Sequence, residues 1–493
     1  MDINGRTLQV DGTLPGTGTV DATGNSTLIS SSAIDFSTFI LNSDQTTSIT
    51  FQTAGTISNL PALTDLNNLV LNRAGITLTL SGPLHLHSNL SISAGTISNE
   101  YDLQIDGTTT VNGTLNMNHA LAANRTLTFG STLSGTGTIR ALPTASYLSV
   151  YIHGAYSFTN ASVAFSTNAN VDLYVAGTSG NNFTMDASIT DLRTLTIQSN
   201  PGRIVQLSSD LEITTGGLVF ANSGSNELQV NGNTLTLQSN YAPPASGGVL
   251  VAGNNANSIV VFNGNADFTN GTLLTDCTTT LQFDADVSAY PAGANNLYNL
   301  TVSGAFAFPA ANFNTCNNLT VNAASVVTTS ANRTITITNN FTMNGTFNAT
   351  NITGLSIGGD LITSGLETWN NYANIDLSVV ASTALFSLPN AITQLRRITL
   401  NRANGMKINA DLTLGEDALG NPYNGTVLSI NNGDFDLNGF NTTLATLIMS
   451  FTRVLQADKL SSIPVQMVLI LQLVWLVRQL HRLSIVALEL ANY

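Results

Sequence analysis

Charged side chains are scarce in this sequence. They make up 9% of the 493 residues, against about 25% in typical soluble proteins. Hydrophobic residues still account for 43%, which excludes a disordered chain. Stacked repeats would explain the scarcity, because like charges about 4.8 Å apart in a strand ladder repel by roughly 0.9 kcal/mol even in water. Neutral serine, threonine and asparagine avoid that repulsion, so the composition favours stacked strands.

Lysine is almost missing, with Lys407 and Lys459 as the two examples in the chain. The formal net charge at pH 7 is −14. Proteins that bind nucleic acids neutralise phosphates with clustered lysine and arginine. The charge balance therefore excludes nucleic acid as a partner.

Cysteine is represented by Cys277 and Cys316 alone. Two cysteines fit no zinc-binding spacing, so they form either one disulfide or two small buried apolar residues. Of these alternatives we expect two buried, free cysteines.

The first residues lack an export signal. The opening "MDINGRTLQVDG" has neither a basic region nor an apolar core. It resembles the interior stretch "FDLNGFNTTL" at 435–444, which places Met1 inside a repeat. We therefore expect the chain to be part of a longer polypeptide, with any export signal upstream.

The C-terminal segment has a different composition. Residues 453–493 contain no glycine and no threonine and are rich in leucine and valine. The apolar run from Val465 to Val477 is about 13 residues, short of the roughly 20 that span a bilayer, so no transmembrane span is expected. The segment is either an amphipathic capping helix or the product of a frameshift in mid-repeat, and we favour the frameshift.

Repeats dominate the rest of the sequence. "RTLQVDGTLPGTGTV" at 6–20 returns as "RTLTFGSTLSGTGTI" at 125–139, an offset of 119 residues. A second landmark, "LTDLNNLVLNRAGITLTLSG", has looser echoes around Leu192, Leu297 and Leu395. We therefore divide residues 1–452 into degenerate units of about 100–125 residues, near 1–62, 63–188, 189–294, 295–391 and 392–452.

Within each unit, apolar residues occupy every second position, as in "ITLTLSG", "LHLHS" and "TITITN". This is the period of a half-buried strand. Gly, Asn, Ser and Asp separate strands of about 4 to 6 residues and suit tight corners. A propeller would need a recurring signature every 40 to 45 residues, and a series of sandwiches would show linkers. The pattern predicts an all-β protein, a right-handed parallel β-helix (β-solenoid) with about 20 to 25 residues per turn.

Phrases such as "NNLVLNRAGITLTLSGPLHLHSNLSI" and "ITLNRANGMKINADLTL" resemble the low-charge repeat regions of secreted or surface-displayed bacterial proteins of the Bacteroidetes type. The resemblance covers most of residues 1–452 and rests on repeat style. It implies a parallel β-helix in the extracellular space or at the cell surface, within a larger adhesin-like protein. The chain departs from that pattern because no sorting or anchoring domain is recognisable.

Two histidines alternate on one strand. His85 and His87 in "LHLHS" point to the same side, about 6.6 Å apart, a geometry suited to a metal ion. No third ligand is evident in the sequence. Because Leu84 and Leu86 would take the inner face, we expect two exposed histidines and no metal site.

Three acidic pairs suggest two further kinds of site, a glycosidase centre and a calcium site. Asp284 and Asp286 share a strand face, and a carboxylate pair is what a glycosidase needs. Pairs in "GDFDLNG" and "LGEDALGN" would suit calcium with loop carbonyls. We expect solvated corners or faces rather than sites at Asp284 with Asp286 and at the other two pairs, Asp434 with Asp436 and Glu416 with Asp417.

Arg73 in "LNRAG" and Arg402 in "LNRANG" lie at matching places in two units. A repeated ligand contact would recur in the middle units, where "IQSNPG" and "TVSGAF" offer no arginine. We therefore expect two solvated arginines at corners.

These observations predict a non-enzymatic structural or adhesive β-solenoid of a bacterial surface protein, without catalytic residues, cofactor or metal. Its partners would be surface glycans or host matrix components. A pectin-lyase-like carbohydrate-active enzyme or a glycan-binding module is the alternative, and a groove with at least two carboxylates would favour the enzyme. An ice-binding solenoid is more remote, because regular threonine rows are missing.

Overall fold

The computed structural model describes residues 1–451 with short gaps. The gaps are residues 13, 15–16, 53–55, 58–59, 118–122, 145, 155–162, 178–181, 200–201, 222–224, 246, 255–256, 292, 381, 383, 417–419 and 446–448. The expectations for the segment 453–493 lie outside the described residues. Within the described part, no helix has the length and apolarity needed to cross a membrane.

The chain divides into two compact units, Met1–Phe306 and Ala307–Tyr493. Short strands make up each unit, and successive turns of the chain pair these strands in parallel. A 3₁₀ turn at Tyr372–Asn374 is the helical element of the described residues. Each unit is therefore a parallel β-solenoid, as the alternation of apolar and polar residues predicts.

Strands β1 to β32 belong to the first unit. Their bounds are β1 Thr7–Val10, β2 Gly18–Asp21, β3 Thr27–Ser30, β4 Phe39–Asn42, β5 Ser48–Gln52, β6 Asp65–Leu66, β7 Asn68–Leu80, β8 Leu84–Leu86, β9 Leu90–Asn99, β10 Leu103–Ile105, β11 Thr109–Val111, β12 Thr114–Asn116, β13 Arg125–Phe129, β14 Leu133–Ser134, β15 Thr138–Arg140, β16 Leu148–Ile152, β17 Ala164–Ser166, β18 Val171–Gly177, β19 Phe183–Thr184, β20 Asp191–Ser199, β21 Ile204–Gln206, β22 Leu211–Ala221, β23 Glu227–Gln229, β24 Thr234–Leu237, β25 Val249–Val251, β26 Ile259–Phe262, β27 Ala266–Asp267, β28 Thr272–Leu274, β29 Thr280–Phe283, β30 Val287–Ser288, β31 Asn296–Leu297 and β32 Asn299–Val302.

Strand β33, Ala305–Phe308, lies at the division, and the later strands belong to the second unit. Their bounds are β34 Phe313–Thr315, β35 Leu319–Val321, β36 Val326–Thr329, β37 Arg333–Ile337, β38 Phe341–Met343, β39 Thr346–Ala349, β40 Thr353–Ile357, β41 Leu361–Thr363, β42 Thr368–Asn370, β43 Ile375–Val380, β44 Phe386–Ser387, β45 Gln394–Leu395, β46 Arg397–Asn401, β47 Met406–Lys407, β48 Leu412–Leu414, β49 Leu428–Asn432, β50 Phe435–Asp436, β51 Thr442–Leu444 and β52 Met449–Phe451.

In the first unit the strands form three main parallel sheets. One runs β1-β3-β5-β7-β9-β12-β15-β17, a second runs from β6 through β8, β10, β13, β16, β18, β20, β22, β24, β26 and β29 to β32, and a third runs β19-β21-β23-β25-β28. In the second unit the order β34-β37-β40-β43-β46-β49-β52 forms the longest sheet, beside β35-β38-β41 and β36-β39-β42. Neighbouring strands come from successive turns of the coil.

The register gives the length of a turn. Thr7 pairs with Thr27 and Leu148 pairs with Val171, offsets of 20 and 23 residues. These offsets agree with the predicted 20 to 25 residues. The offset grows to 30 where Ile398 pairs with Leu428, because extra chain is inserted after β48. The repeat pattern of the sequence does not predict that insertion.

Alternating apolar residues point into the coil and stack on their equivalents in the next turn. Phe262 and Phe283, which pair in register, have ring centroids 5.0 Å apart and nearly parallel planes. Tyr241 and Phe268 pack against the same cluster. Burial of such a side chain contributes about 1.5 to 3 kcal/mol, so interior rows hold adjacent turns together.

Polar corners are closed by a recurring Asp-x-Thr/Ser turn. An aspartate carboxylate accepts hydrogen bonds from the backbone N–H and the hydroxyl two residues later. At Asp44, bonds from Thr46 above all, and then from the Gly24 backbone, lower the pKa to about 2. Equivalent turns begin at Asp21, Asp35, Asp186, Asp267 and Asp276.

The expectation of two buried, free cysteines is wrong. Cys277 and Cys316 are both disulfide-bonded. Cys277 is exposed and Cys316 is half-buried. Both cysteines lie at corners of the coil, where side chains are near the surface. Neither cysteine therefore packs in the core as a small apolar residue.

Candidate functional site

The second sheet of the first unit carries a cluster of two histidines and two aspartates on its outer face. Asp65 lies on β6, His85 lies on β8, and His87 and Asp106 directly follow β8 and β10. Asp65 is level with His85. Because Gln104 is level with His85, Asp106 comes level with His87. Three successive turns thus contribute to one patch.

Alternation along β8 sets the direction of these side chains. Leu84 and Leu86 are buried in the core, at 4% and 0% exposure. Successive residues of a strand point to opposite faces. The two imidazoles therefore project outward, with ring centroids 3.9 Å apart.

The hydrogen bonds of the cluster run diagonally. His85 Nε2 lies 2.7 Å from Asp106 Oδ2, and His87 Nε2 lies 2.8 Å from Asp65 Oδ1. The other ring nitrogens face the other carboxylates: His85 Nδ1 is 3.8 Å from Asp65 Oδ1, and His87 Nδ1 is 3.9 Å from Asp106 Oδ2. Each imidazole therefore lies between two carboxylates.

Both carboxyl groups of the cluster have a lowered pKa. The hydrogen bond from His87 is the main cause at Asp65. At Asp106, burial acts to raise the pKa, but hydrogen bonds from Gln104 and His85 outweigh it. Both groups are consequently ionised at neutral pH, and the cluster carries two negative charges when its histidines are neutral.

A shallow groove of about 300 Å³ borders the cluster. Its lining residues include Thr64, His85, Asp102 and Gln104. The histidine side chains are 29% exposed. Solvent and small solutes therefore reach the His85 imidazole from the groove.

The expectation of two exposed histidines is wrong. His85 and His87 are half-buried and hydrogen-bonded. The further groups that the sequence did not reveal are Asp65, one turn earlier, and Asp106, one turn later. Within the described residues, Asp65, His85 and His87 form a group whose ligand atoms lie within 4.8 Å of one another.

The expectation of solvated arginines is also wrong. Arg73 and Arg402 are 1% and 0% exposed. The Arg73 guanidinium donates to the carbonyls of Gln52, Ser30 and Ser32 at 3.1, 2.8 and 2.6 Å. Burial lowers the pKa of Arg73. These contacts tie one turn to the two turns before it.

Arg402 repeats this arrangement in the second unit. It donates to the carbonyls of Ala384 and Gly359 and to the Asp360 carboxylate. Its guanidinium carbon lies 5.5 Å from the ring centroid of Phe386, as that of Arg73 lies 5.7 Å from a phenylalanine ring. Both arginines are structural.

Two buried arginines were missed by the sequence analysis. Arg203 donates to the carbonyls of Ala176 and Gly154, and Arg333 donates to those of Phe308 and Pro309. Arg203 directly follows "IQSNPG", the stretch in which an equivalent of Arg73 was sought. A shift of a few residues in the corner concealed it.

Asp284 and Asp286, the pair considered for glycosidase chemistry, have structural partners. Asp286 Oδ1 accepts the backbone N–H of Ala305 at 2.7 Å. Asp284 accepts hydrogen bonds from the Gln282 amide and the Ser303 hydroxyl. Both aspartates are exposed on an outer edge of the coil. The pair is thus engaged in joining successive turns.

The candidate calcium ligands are not brought into a cluster among the described residues. Asp434 and Asp436 are exposed, and Asp436 closes a turn by accepting the backbone N–H of Asn438 at 2.8 Å. Glu416 forms an isolated bridge with Pro422. Asp417 lies outside the described residues.

A second groove, of about 510 Å³, is acidic. Asp191, Asp210 and Glu212 line it together with serine, threonine and leucine. Asp210 accepts the backbone N–H of Thr234 at 2.7 Å, and Glu212 accepts the Gln238 amide at 2.6 Å. This groove has the carboxylates that the enzymatic alternative requires, and the sequence analysis did not single them out.

An aromatic stack lies on the same sheet. Tyr151 and Tyr174 are level in adjacent strands, with ring centroids 4.3 Å apart and nearly parallel planes. One face of each tyrosine ring packs against the other tyrosine. The His153 ring is nearly parallel to that of Tyr151, with ring centroids 6.1 Å apart. The two tyrosines therefore form a half-buried stack on the outer face of the sheet, across two successive turns.

Threonine repeats from turn to turn in one outward row, at Thr77, Thr96, Thr114 and Thr138, but this repetition does not extend to every outward row. The row that begins at Gln9 continues through Ile29, Thr50 and Val70. A regular threonine array, which an ice-binding face needs, is not formed along this row.

Comparison with known proteins yields no relative: no family model, no curated protein and no solved structure matches the chain. The residues themselves are therefore the evidence for its function.

Proposed function

We propose that the protein is a non-enzymatic, extracellular β-solenoid with a structural or adhesive role in a bacterial surface protein. The observation that carries this proposal is the use of polar side chains between turns. Asp286 accepts the backbone N–H of Ala305, and Asn89 bonds to Asn68 and Thr108 in the turns on either side. Polar side chains that could serve in catalysis therefore form hydrogen bonds between turns and stabilise the coil.

An extracellular location is supported by two features. Both cysteines are disulfide-bonded, and disulfides persist mainly in oxidising compartments. The repeat phrases also resemble those of bacterial surface proteins, as described above. Surface glycans and host matrix components are the partners that such a location offers.

A carbohydrate-active enzyme is the second candidate, and the acidic groove favours it. The groove combines Asp191, Asp210 and Glu212. Polysaccharide lyases of the β-helix type need a basic side chain beside their acids. Arg193 is nearby in sequence, but it pairs with Asp172 and lies over the Tyr147 ring, 3.9 Å from its centroid. The groove therefore lacks a disengaged base among its lining residues.

Turnover and binding assays separate these candidates. The full chain is incubated with neutral and acidic polysaccharides, with and without Ca²⁺, and new reducing or unsaturated ends are measured. We expect no turnover, and no difference between the wild type and Asp191→Asn/Glu212→Gln. Turnover that this double variant abolishes would establish the enzyme and overturn the proposal.

The location and the adhesive role require separate measurements. Antibody labelling and protease treatment of intact bacteria that make the protein are expected to reach it without permeabilisation. A protein protected until the cells are lysed would contradict the extracellular assignment. Retention of a surface glycan or matrix component by the purified chain would favour the adhesive role, whereas absence of retention would favour a spacer.

A further inference from the structure

The cluster of Asp65, His85, His87 and Asp106 has no role in the proposed function, and its chemistry differs from that of the other outward side chains. Most outward positions nearby carry threonine, serine or asparagine. Here two imidazoles and two carboxylates meet on three successive turns. The side-chain hydrogen bonds of this set run among its own members and to the side chains of Gln104 and Thr64.

We propose that this cluster is a binding site for a divalent transition-metal ion of the Zn²⁺ type. The three ligand atoms are Asp65 Oδ1, His85 Nδ1 and His87 Nε2. Asp106 is the positioning residue that holds His85. The site is independent of whether the protein is a spacer or an adhesin.

The tautomer of His85 supports this assignment. When the neutral ring donates its Nε2–H to Asp106, its Nδ1 carries a lone pair. That lone pair faces Asp65 Oδ1 at 3.8 Å, so two electron-rich atoms oppose each other. A cation between them removes this repulsion.

The spacing of the ligand atoms fits tetrahedral coordination. Zinc lies about 2.0 to 2.2 Å from imidazole nitrogen and carboxylate oxygen, which places neighbouring ligand atoms about 3.4 Å apart. Asp65 Oδ1 is 2.8 Å from His87 Nε2 and 3.8 Å from His85 Nδ1. These two separations lie on either side of the required one, and ligand atoms of the three residues all lie within 4.8 Å of one another. The metal takes the place of the proton shared by His87 and Asp65.

The Asp106 carboxylate is placed to act as an outer-shell hydrogen-bond acceptor for a metal-binding histidine. A histidine that binds a metal through one nitrogen usually donates its other N–H to a carboxylate, which fixes the ring and its tautomer. Asp106 Oδ2 is placed for this at 2.7 Å from His85 Nε2. The fourth coordination position is left to water or an incoming donor.

The donor set also selects the class of ion. Imidazole nitrogen suits zinc, copper and nickel, whereas calcium and magnesium prefer sites built from oxygen. Two histidines and one carboxylate therefore favour Zn²⁺ over Ca²⁺. The two ionised carboxylates of the cluster attract the positive charge in either case.

Binding is tested on the full chain after chelator treatment, by calorimetric titration with ZnCl₂ and with CaCl₂. We expect one Zn²⁺ per chain at this site and no Ca²⁺. Because two of three ligands are removed, His85→Ala/His87→Ala is expected to abolish that binding. Asp106→Asn is expected to weaken it about 10- to 100-fold, as loss of an orienting partner does.

The matched control is His153→Ala, which removes an exposed histidine on the same sheet and should leave the affinity unchanged. Co²⁺ provides a second readout, since tetrahedral nitrogen and oxygen coordination gives a strong visible absorption that the double variant should lose. Circular dichroism checks that each variant is folded. Zinc binding that persists in the folded double variant, or the lack of stoichiometric zinc uptake by the wild type, would overturn the proposal.

Discussion

Replacement of Arg73 by methionine is expected to loosen the first unit around three successive turns. Methionine keeps much of the side-chain volume and its contact with Phe51, but it donates no hydrogen bonds. The carbonyls of Gln52, Ser30 and Ser32 would lose the donors that lie 2.6 to 3.1 Å away. Each buried acceptor left without a donor costs about 1 to 3 kcal/mol.

The Ser30 carbonyl is buried and those of Gln52 and Ser32 are partly buried, so at the lower end of that range the three give about 3 kcal/mol. We adopt the lower end because removal of the guanidinium also removes its desolvation cost, which is evident in the lowered pKa of Arg73. In a solenoid this loss acts mainly on neighbouring turns. The free energy of local opening should therefore fall by about 3 kcal/mol near residues 27–52 and much less in distant turns.

Hydrogen exchange measured by mass spectrometry resolves this effect by peptide. A loss of about 3 kcal/mol accelerates exchange of the protected amides by roughly 100-fold. The control is Arg140→Met, which changes an exposed strand arginine and should alter opening by about 0.5 kcal/mol or less. Equal exchange rates in Arg73→Met and wild type would refute the view that buried arginines join the turns.

Three other perturbations have expected outcomes. The pKa of Asp44 is lowered from 3.8 to about 2. The ionised carboxylate therefore stabilises the folded state fully above pH 4, and this stabilisation is lost as the pH falls towards 2. Acid titration followed by circular dichroism should show that Asp44→Asn loses less stability over this pH range than the wild type does. Gly137→Ala would place a methyl group 2.0 Å from a backbone oxygen of the preceding turn and should lower the unfolding midpoint by an amount equivalent to about 1 to 3 kcal/mol, whereas Gly18→Ala meets no atom within 4 Å and should not. Thiol titration of the unreduced, denatured chain should find no free thiol and two after reduction, because Cys277 and Cys316 are disulfide-bonded; reactive thiols before reduction would contradict this.

The sequence predicted the fold well because a solenoid repeats one local pattern. Alternation of apolar residues identifies the strands, and Gly, Asn and Asp identify the corners, so fold class and turn length follow from short windows. The inserted chain before Leu428 was missed because a corner tolerates extra residues without changing the pattern on either side. The cysteines were wrongly predicted to be buried and free, because the local sequence does not show how far a corner residue lies from the core.

Sites were harder to predict, since they depend on register between turns. His85 and Asp65 are 20 residues apart and come level only when the turn has that length. Turns elsewhere in the first unit differ by several residues, so the third ligand was not identifiable from the strand that carries the histidines. The buried arginines were misjudged for a related reason. Most of their acceptors are backbone carbonyls one and two turns away, and every residue has a backbone carbonyl whatever its side chain, so the sequence does not identify these acceptors.

The scarcity of charge can now be connected with the sites. If like charges on adjacent turns are unfavourable, the places where they nevertheless meet need an explanation. Asp191 and Glu212 are such a pair, level in adjacent strands of the acidic groove. Glu212 gains a hydrogen bond from Gln238, and Asp191 gains one from the Thr190 hydroxyl. These neutral donors partly offset the repulsion, but they leave the negative potential in place. The acidic groove is therefore where a glycan or cation that depends on carboxylates would bind, and for that reason Asp191→Asn/Glu212→Gln is the variant that distinguishes the enzyme from the structural protein.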